Sequence, residues 1–396
     1  MRIRQIETFA IRVPRDLSAA TGSAGSPTKL SGGGEYRWSE AYPALYSIHF
    51  ETALIRITLE NGLFGWGEAQ APLAPQVPCT IVNTLLAPVL FQEQFDGSIS
   101  GVAGLWQRMY SAMRVRGQTG GFMLDAISGV DLALWDLAGK IASSPAACLR
   151  APRHKLLIPA YLSGVPGSTP AERVENAKPY LNDGFDTIKL YFDQTPGEML
   201  ATIDAFLCRF SGLKIAVDGL WRFSLEDAIQ FGKELDVRHA RWFECPLLPE
   251  LVDEHALLAA NIQTSLAVGE SYRTRWELRP FVQSVRVLQP DLGRSGLTES
   301  LEIARMAQQH SLEVIPHVSI AGGPQIAAAL HFASIAGNCP LIEYNPRVLE
   351  TANRFLRAPI RMEAGCYGVP EQAGLGVDLV EIPTDFVLSH EITRRS

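Results

Sequence analysis

The chain has 396 residues, and its hydrophobic content of 47% excludes a mostly disordered protein. Its 35 basic and 42 acidic residues give a net charge of −7 without a dense lysine or arginine run, which argues against nucleic acid as a partner. No window approaches the roughly 20 apolar residues of a membrane span, and the start has no apolar stretch of signal-peptide length. The six cysteines are scattered without a CxxC pattern, which indicates free thiols. We therefore expect a cytoplasmic protein with no membrane association.

The N-terminal part predicts strands followed by helices, which is typical of an α+β domain. Residues 1–16 alternate apolar and polar side chains, and Asn61-Gly62 marks a tight hairpin turn between two further strands. The segment 17–46 is long, rich in glycine and aromatic at its end. We interpret it as a lid loop or, alternatively, as a disordered surface insert. These features predict a capping domain over residues 1–140.

The pattern then changes to strict alternation of strands and helices. Eight apolar stretches are predicted as strands: IPAYLS, DTIKLY, LKIAVD, ARWFE, SLAVG, RVLQP, LEVIP and PLIEY. Eight strand–helix units in about 250 residues indicate a modified (β/α)8 barrel of TIM type, with strands buried on both faces. We place this catalytic barrel at residues 141–344. Residues 345–396, with loops and short strands such as PEQAGLGVDLVEI, are predicted to return to the capping domain.

Six charged residues end successive strands at a nearly constant interval. The spacings are 26, 26, 21, 26 and 26 residues along the series Asp218, Glu244, Glu270, Asp291, His317 and Glu343. A charged group at the tip of a buried strand is unfavourable unless it has a function or a partner. Because the C-terminal ends of the barrel strands meet at one face, these six side chains are predicted to surround one mouth.

The first three of these residues predict a metal site. Asp218, Glu244 and Glu270 end consecutive strands, which lie about 4.8 Å apart in a sheet, so their carboxylates can converge. Three hard oxygen ligands without a nearby histidine or cysteine favour Mg²⁺ over zinc. The alternative is that each carboxylate caps the helix that follows it. Three clustered anions would then repel one another strongly, and a bound cation removes that conflict.

The next two strand tips predict an acid–base pair. A carboxylate at Asp291 beside the imidazole of His317 would fix its tautomer and raise its basicity, which suits proton transfer near neutral pH. Glu343 follows at the next tip. It can donate a hydrogen bond to a substrate oxygen if it is protonated, or pair with a cation as a structural ion pair.

The strand DTIKLY contributes two further candidates on the opposite side of the barrel. Lys189 and Tyr191 are two positions apart, so both side chains can face the mouth. Lys189 can neutralise a substrate carboxylate. Tyr191 can donate a hydrogen bond, act as an acid or base if its pKa is lowered by Lys189 and the metal, or simply line the wall.

Taken together, the chain resembles the mandelate racemase subgroup of the enolase superfamily over nearly its whole length. The motifs that carry this resemblance are GVDLALWDLAGK, IKLY, VDG, FECP, VGES, QPDLGRSG, IPH and IEY. That family abstracts a proton α to a carboxylate, with Mg²⁺ stabilising the enediolate. The resemblance implies the following roles: Mg²⁺ ligands Asp218, Glu244 and Glu270; catalytic dyad Asp291 and His317; substrate-carboxylate contact Glu343; and first lysine of a Lys-x-Lys motif Lys189.

The sequence departs from the family pattern at three positions close to these residues. Tyr191 stands where the second lysine of the motif is expected, so the usual two-base racemase is in doubt. Leu220 replaces a residue that is often polar, and Cys245 replaces a common second glutamate. None of the three implied metal ligands is changed.

We expect a Mg²⁺-dependent hydro-lyase that dehydrates a sugar acid, an aldonate or aldarate, to a 2-keto-3-deoxy acid. His317 would serve as base and acid, or Tyr191 would take the α proton while His317 assists the departing hydroxide. The alternatives are a racemase, epimerase or cycloisomerase acting on a related hydroxy acid or lactone, and a non-catalytic sugar-acid binding protein. Substrate specificity is expected from the cap, foremost Trp38 and Tyr46, with further candidates Arg37, Tyr42, His49 and Trp66. The partner is a small carboxylate, and the resemblance implies a homo-oligomer.

Overall fold

The computed structural model describes residues 1–15, 30–39, 44–151 and 154–395. Most of the predicted lid loop therefore lies outside the described residues. Its described part is a small antiparallel sheet rather than a loop. No helix in these ranges is long and apolar enough to cross a membrane.

An antiparallel sheet is the main β-structure of the N-terminal region. The strands before residue 70 are β1 (Ile3–Pro14), β2 (Leu30–Ser31), β3 (Tyr36–Ser39), β4 (Ala44–Ser47), β5 (His49–Leu59) and β6 (Phe64–Ala69). Strand β5 pairs with both β1 and β6, while β2, β3 and β4 form the separate small sheet. The β5–β6 turn follows the predicted Asn61-Gly62 signal: Gly62 has φ of 87°, and the Asn61 side chain accepts a hydrogen bond from the Leu63 N–H at 3.0 Å.

Helices cover one face of this sheet. They are α1 (Gln76–Ile81), a π-helical turn (Val82–Leu86), α2 (Ala87–Leu90), α3 (Ile99–Arg114), α4 (Gly121–Ile141) and α5 (Ala146–Arg150). Helix α4 is buried without interruption from Met123 to Gly139, because it lies between the cap sheet and the barrel. Two cap glycines, Gly65 and Gly67, allow β6 to touch the α4 backbone. Close helix–sheet contact therefore depends on the absence of side chains at these two positions of β6.

The barrel contains the eight predicted strands. They are β7 (Leu157–Leu162), β8 (Thr187–Tyr191), β9 (Lys214–Asp218), β10 (Trp242–Glu244), β11 (Leu266–Val268), β12 (Val287–Leu288), β13 (Glu313–Val314) and β14 (Ile342–Tyr344). Strands β7 to β13 pair in parallel in chain order, and β14 pairs in parallel with β7. This arrangement confirms the predicted fold class of an α/β barrel with an α+β cap.

Helices separate the barrel strands and cover them outside. They are α6 (Pro170–Asn182), α7 (Pro196–Arg209), α8 (Leu225–Val237), α9 (Val252–Asn261), α10 (Arg275–Leu278) with a 3₁₀ turn (Arg279–Phe281), α11 (Leu292–Gln309) and α12 (Pro324–Ile335). Side-chain caps fix several starts. Thr195 and Glu198, for example, form a reciprocal capping box at α7.

The barrel interior is closed by one layer of side chains below the mouth. Its members are Tyr161, Ala216, Trp242, Ala267, Val287, Ile315 and Leu341, all nearly inaccessible to solvent. Several lie two residues before a strand-tip residue, so they point to the same interior side one step lower. The strand tips thus rest on a packed layer of buried, mostly apolar side chains.

The C-terminal segment differs from its prediction of loops and short strands. A helix, α13 (Pro346–Asn353), follows β14, because the Asn345 side chain accepts a bond from the Arg347 N–H at 3.2 Å and proline stands at the first turn. The other elements are β15 (Met362–Glu363), β16 (Cys366–Gly368), a 3₁₀ turn (Thr384–Phe386) and β17 (Val387–Arg394). Strand β16 pairs with barrel strand β7, and β17 pairs with cap strand β1. The boundaries at residues 140 and 344 stay predictions.

We predict that Gly67→Ala lowers the free energy of unfolding by about 1–3 kcal/mol or more, because overpacking forces backbone shifts. A β carbon at Gly67 would lie 1.9 Å from the Gly129 carbonyl oxygen and 2.6 Å from the Ala133 nitrogen. Thermal unfolding measures the loss. Gly104→Ala in α3 is the matched control, since a β carbon there meets nothing within 4 Å. Equal transition temperatures for the two variants would contradict the proposed close packing.

Candidate active site

The three predicted metal ligands converge at the mouth of the barrel. Each of Asp218, Glu244 and Glu270 offers a carboxylate oxygen, and these atoms all lie within 4.8 Å of one another. Strand register explains the convergence, because Glu244 in β10 is the direct partner of Asp218 in β9, and Glu270 lies just past β11. Burial and the neighbouring Glu244 raise the pKa of Asp218 well above its ordinary value. Such a cluster of oxygen donors fits a hard divalent cation.

Lys189 lies among the same carboxylates. Its Nζ is 2.6 Å from Glu244 Oε1, 3.0 Å from Glu343 Oε1 and 3.7 Å from Asp218 Oδ2. The side chain is 1% exposed, and although burial opposes it, the glutamates hold the pKa of Lys189 well above its ordinary value. Lys189 is therefore a fixed positive charge within the acidic cluster.

Glu343 pairs with Lys189 and accepts a backbone hydrogen bond. Burial alone would raise the pKa of Glu343, but Lys189 and His317 hold it below its ordinary value. Its Oε2 accepts a hydrogen bond from the Val318 N–H at 3.1 Å. Of the two readings that the sequence left open, the structure shows the pairing with a cation, Lys189, and the contact with a substrate oxygen stays a prediction.

Asp291 and His317 form the predicted pair. Nδ1 of His317 lies 2.7 Å from Asp291 Oδ2, and Nε2 lies 3.3 Å from Glu270 Oε2. Burial alone would lower the pKa of His317, but Glu270 and the bond to Asp291 together raise it to about 10. Since Nδ1 is held by Asp291, Nε2 is the ring nitrogen that faces the acidic cluster.

Tyr191 and Tyr46 meet beside this cluster. Tyr191 in β8 is the direct strand partner of Asp218, and its hydroxyl is 2.8 Å from Ser163 Oγ. Burial raises the pKa of Tyr191 well above its ordinary value although Lys189 opposes the shift. Lys189 alone therefore does not lower the pKa of Tyr191, and the acid–base role that the sequence made conditional on Lys189 and the metal stays a prediction. Leu220 packs against both tyrosines, so a cap residue and a barrel residue share one wall.

The remaining cap candidates lie elsewhere or outside the description. Trp38 is 43% exposed in β3, opposite Leu45. Trp66 lines a cavity of about 660 Å³ on the cap sheet, together with Phe9 and His390. Tyr42 lies outside the described residues. The structure therefore brings Tyr46 to the mouth, and the substrate-binding role of Trp38 stays a prediction.

Sequence reasoning missed several buried residues that hold the strand-tip groups. Glu244 Oε2 accepts bonds from Trp242 Nε1 at 2.9 Å and from Gln289 Nε2 at 2.7 Å. Asp291 Oδ1 accepts a bond from Gln325 Nε2 at 2.9 Å. Trp242 and Gln289 each stand two positions before a strand-tip carboxylate, so strand periodicity was the available signal. Gln325 has no such signal, because it follows a loop and begins a helix.

These features define a capped β/α barrel with an acidic cluster and an Asp–His pair at one mouth. The family model for the mandelate racemase / muconate lactonizing enzyme N-terminal domain matches residues 43–149, and the one for the enolase C-terminal domain-like family matches residues 172–382. The chain thus belongs to the mandelate racemase and muconate lactonizing enzyme family of the enolase superfamily, which confirms the resemblance.

Similar proteins carry several activities. The chain is 30% identical over 337 residues to an arabinonate dehydratase of Saccharolobus solfataricus, covering 82% of this chain and 87% of that one. It is 29% identical over 343 residues to a D-galactarolactone cycloisomerase of Agrobacterium fabrum, covering 82% and 88%. The crystal structure of an enolase superfamily member from Agrobacterium tumefaciens is 28% identical, with a TM-score of 0.90 over 98% of both chains.

We predict that Lys189→Met lowers the free energy of unfolding of chelator-treated protein by about 3–5 kcal/mol, because buried carboxylates lose their charge partner. Urea unfolding measures the difference. Lys214→Met is the control: it removes a pair with Asp186 in which both side chains are about half exposed, and it should cost less than about 1 kcal/mol. Similar losses in both variants would argue against Lys189 as the charge that holds the cluster.

Proposed function

We propose that the protein abstracts the proton α to the carboxylate of a sugar acid in a Mg²⁺-dependent reaction, and that it eliminates the β-hydroxyl to give a 2-keto-3-deoxy acid. The single observation that carries the proposal is the approach of His317 Nε2 to within 3.3 Å of Glu270, which puts the base beside the three converging carboxylates. A proton acceptor next to a cation site is what α-proton abstraction requires.

The charge balance of the mouth supports the metal. Five carboxylates (Asp218, Glu244, Glu270, Asp291 and Glu343) touch two basic groups, Lys189 and His317, in the contacts given above. The excess of negative charge and the oxygen-only donor set fit Mg²⁺ held by Asp218, Glu244 and Glu270. When bound, Mg²⁺ would stabilise negative charge that develops on the substrate carboxylate.

The residues of the chain itself carry out the proton transfers and hold the groups in position. Glu270 is the first of the groups that raise the pKa of His317. With Glu270 held by Mg²⁺ that effect would weaken and leave Nε2 free to take the α proton, while Asp291 holds the opposite ring nitrogen and stabilises the imidazolium that forms. In a syn elimination the same imidazolium returns a proton to the departing β-hydroxyl. Glu343 remains ionised through Lys189 and fixes the Val318 backbone at the rim. We propose that Tyr191 acts through hydrogen bonding with Ser163 rather than as a base, since its pKa is raised.

Among the described residues we assign one base, His317, and this favours elimination over racemisation, which needs a base on each face of the α carbon. The related arabinonate dehydratase supports the same choice, and the related cycloisomerase supports an alternative in which His317 protonates carbon or accepts a proton in opening a lactone. A non-catalytic binding protein explains neither the 2.7 Å contact between Asp291 and His317 nor its place at the cluster. The homo-oligomeric state stays a prediction.

We predict that Glu244→Gln weakens Mg²⁺ binding by about tenfold or more, because it removes one anionic ligand of a hard cation. Calorimetric titration of the metal-free protein with MgCl₂ gives the affinity. Glu313→Gln, at the opposite end of the barrel in β13 with its side chain 48% exposed, is the matched control and should bind like the parent. Equal affinities for all three proteins would remove the metal from the proposal.

We predict that His317→Asn lowers kcat by about 10²–10⁴-fold, the usual contribution of a general acid–base residue. The substrate is first found by assaying aldonic and aldaric acids for 2-keto products. ¹H NMR in D₂O then distinguishes two reactions. Elimination removes the signal of a proton on a hydroxyl-bearing carbon, whereas epimerisation puts deuterium into intact substrate. His310→Asn at the end of α11 is the control. Full turnover by His317→Asn, with Mg²⁺ affinity retained, would exclude the proposed base.

A further inference from the structure

A buried glutamate of the cap reaches into the barrel. Glu68 belongs to β6 and is 0% exposed. Its Oε1 accepts bonds from the Thr52 hydroxyl at 2.7 Å and from the Gly322 N–H, and its Oε2 accepts one from the Gln325 N–H at 3.1 Å. Two of the three donors are backbone groups of the segment that opens helix α12. A single cap side chain thus holds the start of a barrel helix.

That helix start carries the link to the Asp–His pair. The backbone N–H of Gln325 is bound by Glu68, and its side-chain Nε2 donates to Asp291 Oδ1 at 2.9 Å. Asp291 Oδ2 in turn lies 2.7 Å from His317 Nδ1. Two residues, Gln325 and Asp291, therefore connect Glu68 to His317 through hydrogen bonds. All four residues are buried.

The orientation of Asp291 depends on these donors. Its Oδ1 takes one bond from Gln325 and one from the Gly293 N–H at 2.9 Å, which leaves Oδ2 directed at the imidazole. In the described part of the chain, the Gln325 Oε1 atom has no hydrogen-bond partner. The side chain of Gln325 is consequently held at one end by Asp291 and at the other by its own backbone, which Glu68 anchors.

A second cap residue reaches the same place. The Gln70 N–H donates to the Gly293 carbonyl at 2.8 Å, and a β carbon on Gly293 would fall 2.3 Å from Gln325 Oε1 and 2.9 Å from the Gln70 β carbon. The two donors to Asp291 Oδ1 are thus both packed against the end of β6. The cap fixes the dyad from two sides.

We propose that Glu68 is a positioning residue for the Asp291–His317 pair: it anchors the start of α12 so that Gln325 directs Asp291 at His317 Nδ1. The proposal rests on the proposed function only in its expected effect on turnover. The geometric statement concerns the hydrogen bond itself, so it can be tested without a substrate. A purely structural Glu68 would tie the cap to the barrel and leave that bond unchanged.

The test uses the full-length, Mg²⁺-loaded protein and the variant Glu68→Gln. The new amide places an NH₂ group against one of the two backbone N–H donors, so one of the two backbone bonds is lost at nearly constant size. The first readout is the low-field ¹H NMR signal of the His317 Nδ1 proton, assigned by its absence in His317→Asn. We expect this signal to shift or broaden. The second is turnover, with kcat lower by about tenfold to 100-fold and KM changed less than twofold.

Asp136→Asn is the matched control. Asp136 is also a fully buried cap carboxylate that accepts backbone bonds, from Trp66 and Leu375, both at 2.8 Å. Within the described residues no hydrogen bond joins it to the dyad. We expect it to lower the transition temperature without moving the His317 signal. If Glu68→Gln does not fold, Thr52→Val, which removes one donor to Glu68, replaces it with a smaller expected shift.

A double variant tests whether Glu68 acts on the Asp291–His317 pair through Gln325 or by a general loss of structure. Gln325→Leu removes the donor to Asp291, and if Glu68 acts through Gln325, Glu68→Gln should lower kcat no further in that background. An unmoved His317 signal in both Glu68→Gln and Thr52→Val, or fully additive losses of kcat, would overturn the proposal. Absence of any sugar-acid substrate would contradict the proposed function but leave the NMR result decisive for Glu68.

Discussion

The repulsion between carboxylates gathered at the barrel mouth is the constraint on which the site depends. Parallel strands in register bring Asp218 and Glu244 side by side, and burial removes the water that would screen them. Lys189, 2.6 Å from Glu244, offsets only part of the charge. The raised pKa of Asp218 is the physical sign that the cluster favours either a proton or a further cation.

Besides charge balance, the site needs loops of fixed geometry at the barrel mouth, and the cap holds them. Barrel strands end at the mouth, so their loops cannot be held by the sheet itself. Helix α4 and strand β6 supply the missing contacts through buried carboxylates: Asp131 accepts from the Thr298 N–H at 2.9 Å, and Glu68 accepts from the start of α12. Burial raises the pKa of both Asp131 and Glu68 to about 7. These polar anchors are unfavourable in isolation and are retained where they fix a loop.

The barrel strands and the residues at their tips could be predicted almost completely from the sequence. Asp218 or His317 could be predicted because each closes a short apolar run whose local pattern alone defines the strand end. The link between Glu68 and Gln325 could not be predicted, since the two residues lie 257 positions apart and nothing local encodes their contact. Helix α13 was missed despite its Asn345-Pro346 start, a valid capping signal. The raised pKa of Tyr191 needed its burial, which spacing does not reveal.

Two of the three departures from the family pattern, Leu220 and Tyr191, share one wall, and none falls on the implied metal ligands. Leu220 and Tyr191 pack together with Tyr46, and Cys245 is buried just after Glu244 with φ of 40°. Leu220 itself has φ of 55°, a conformation that L-residues rarely adopt, and its N–H donates to Asp218 Oδ1 at 3.1 Å. Its backbone therefore serves the acidic cluster while its side chain faces the cap. At Leu220 a change of side chain would therefore alter the contact with Tyr46 and Tyr191 while the backbone N–H still holds Asp218.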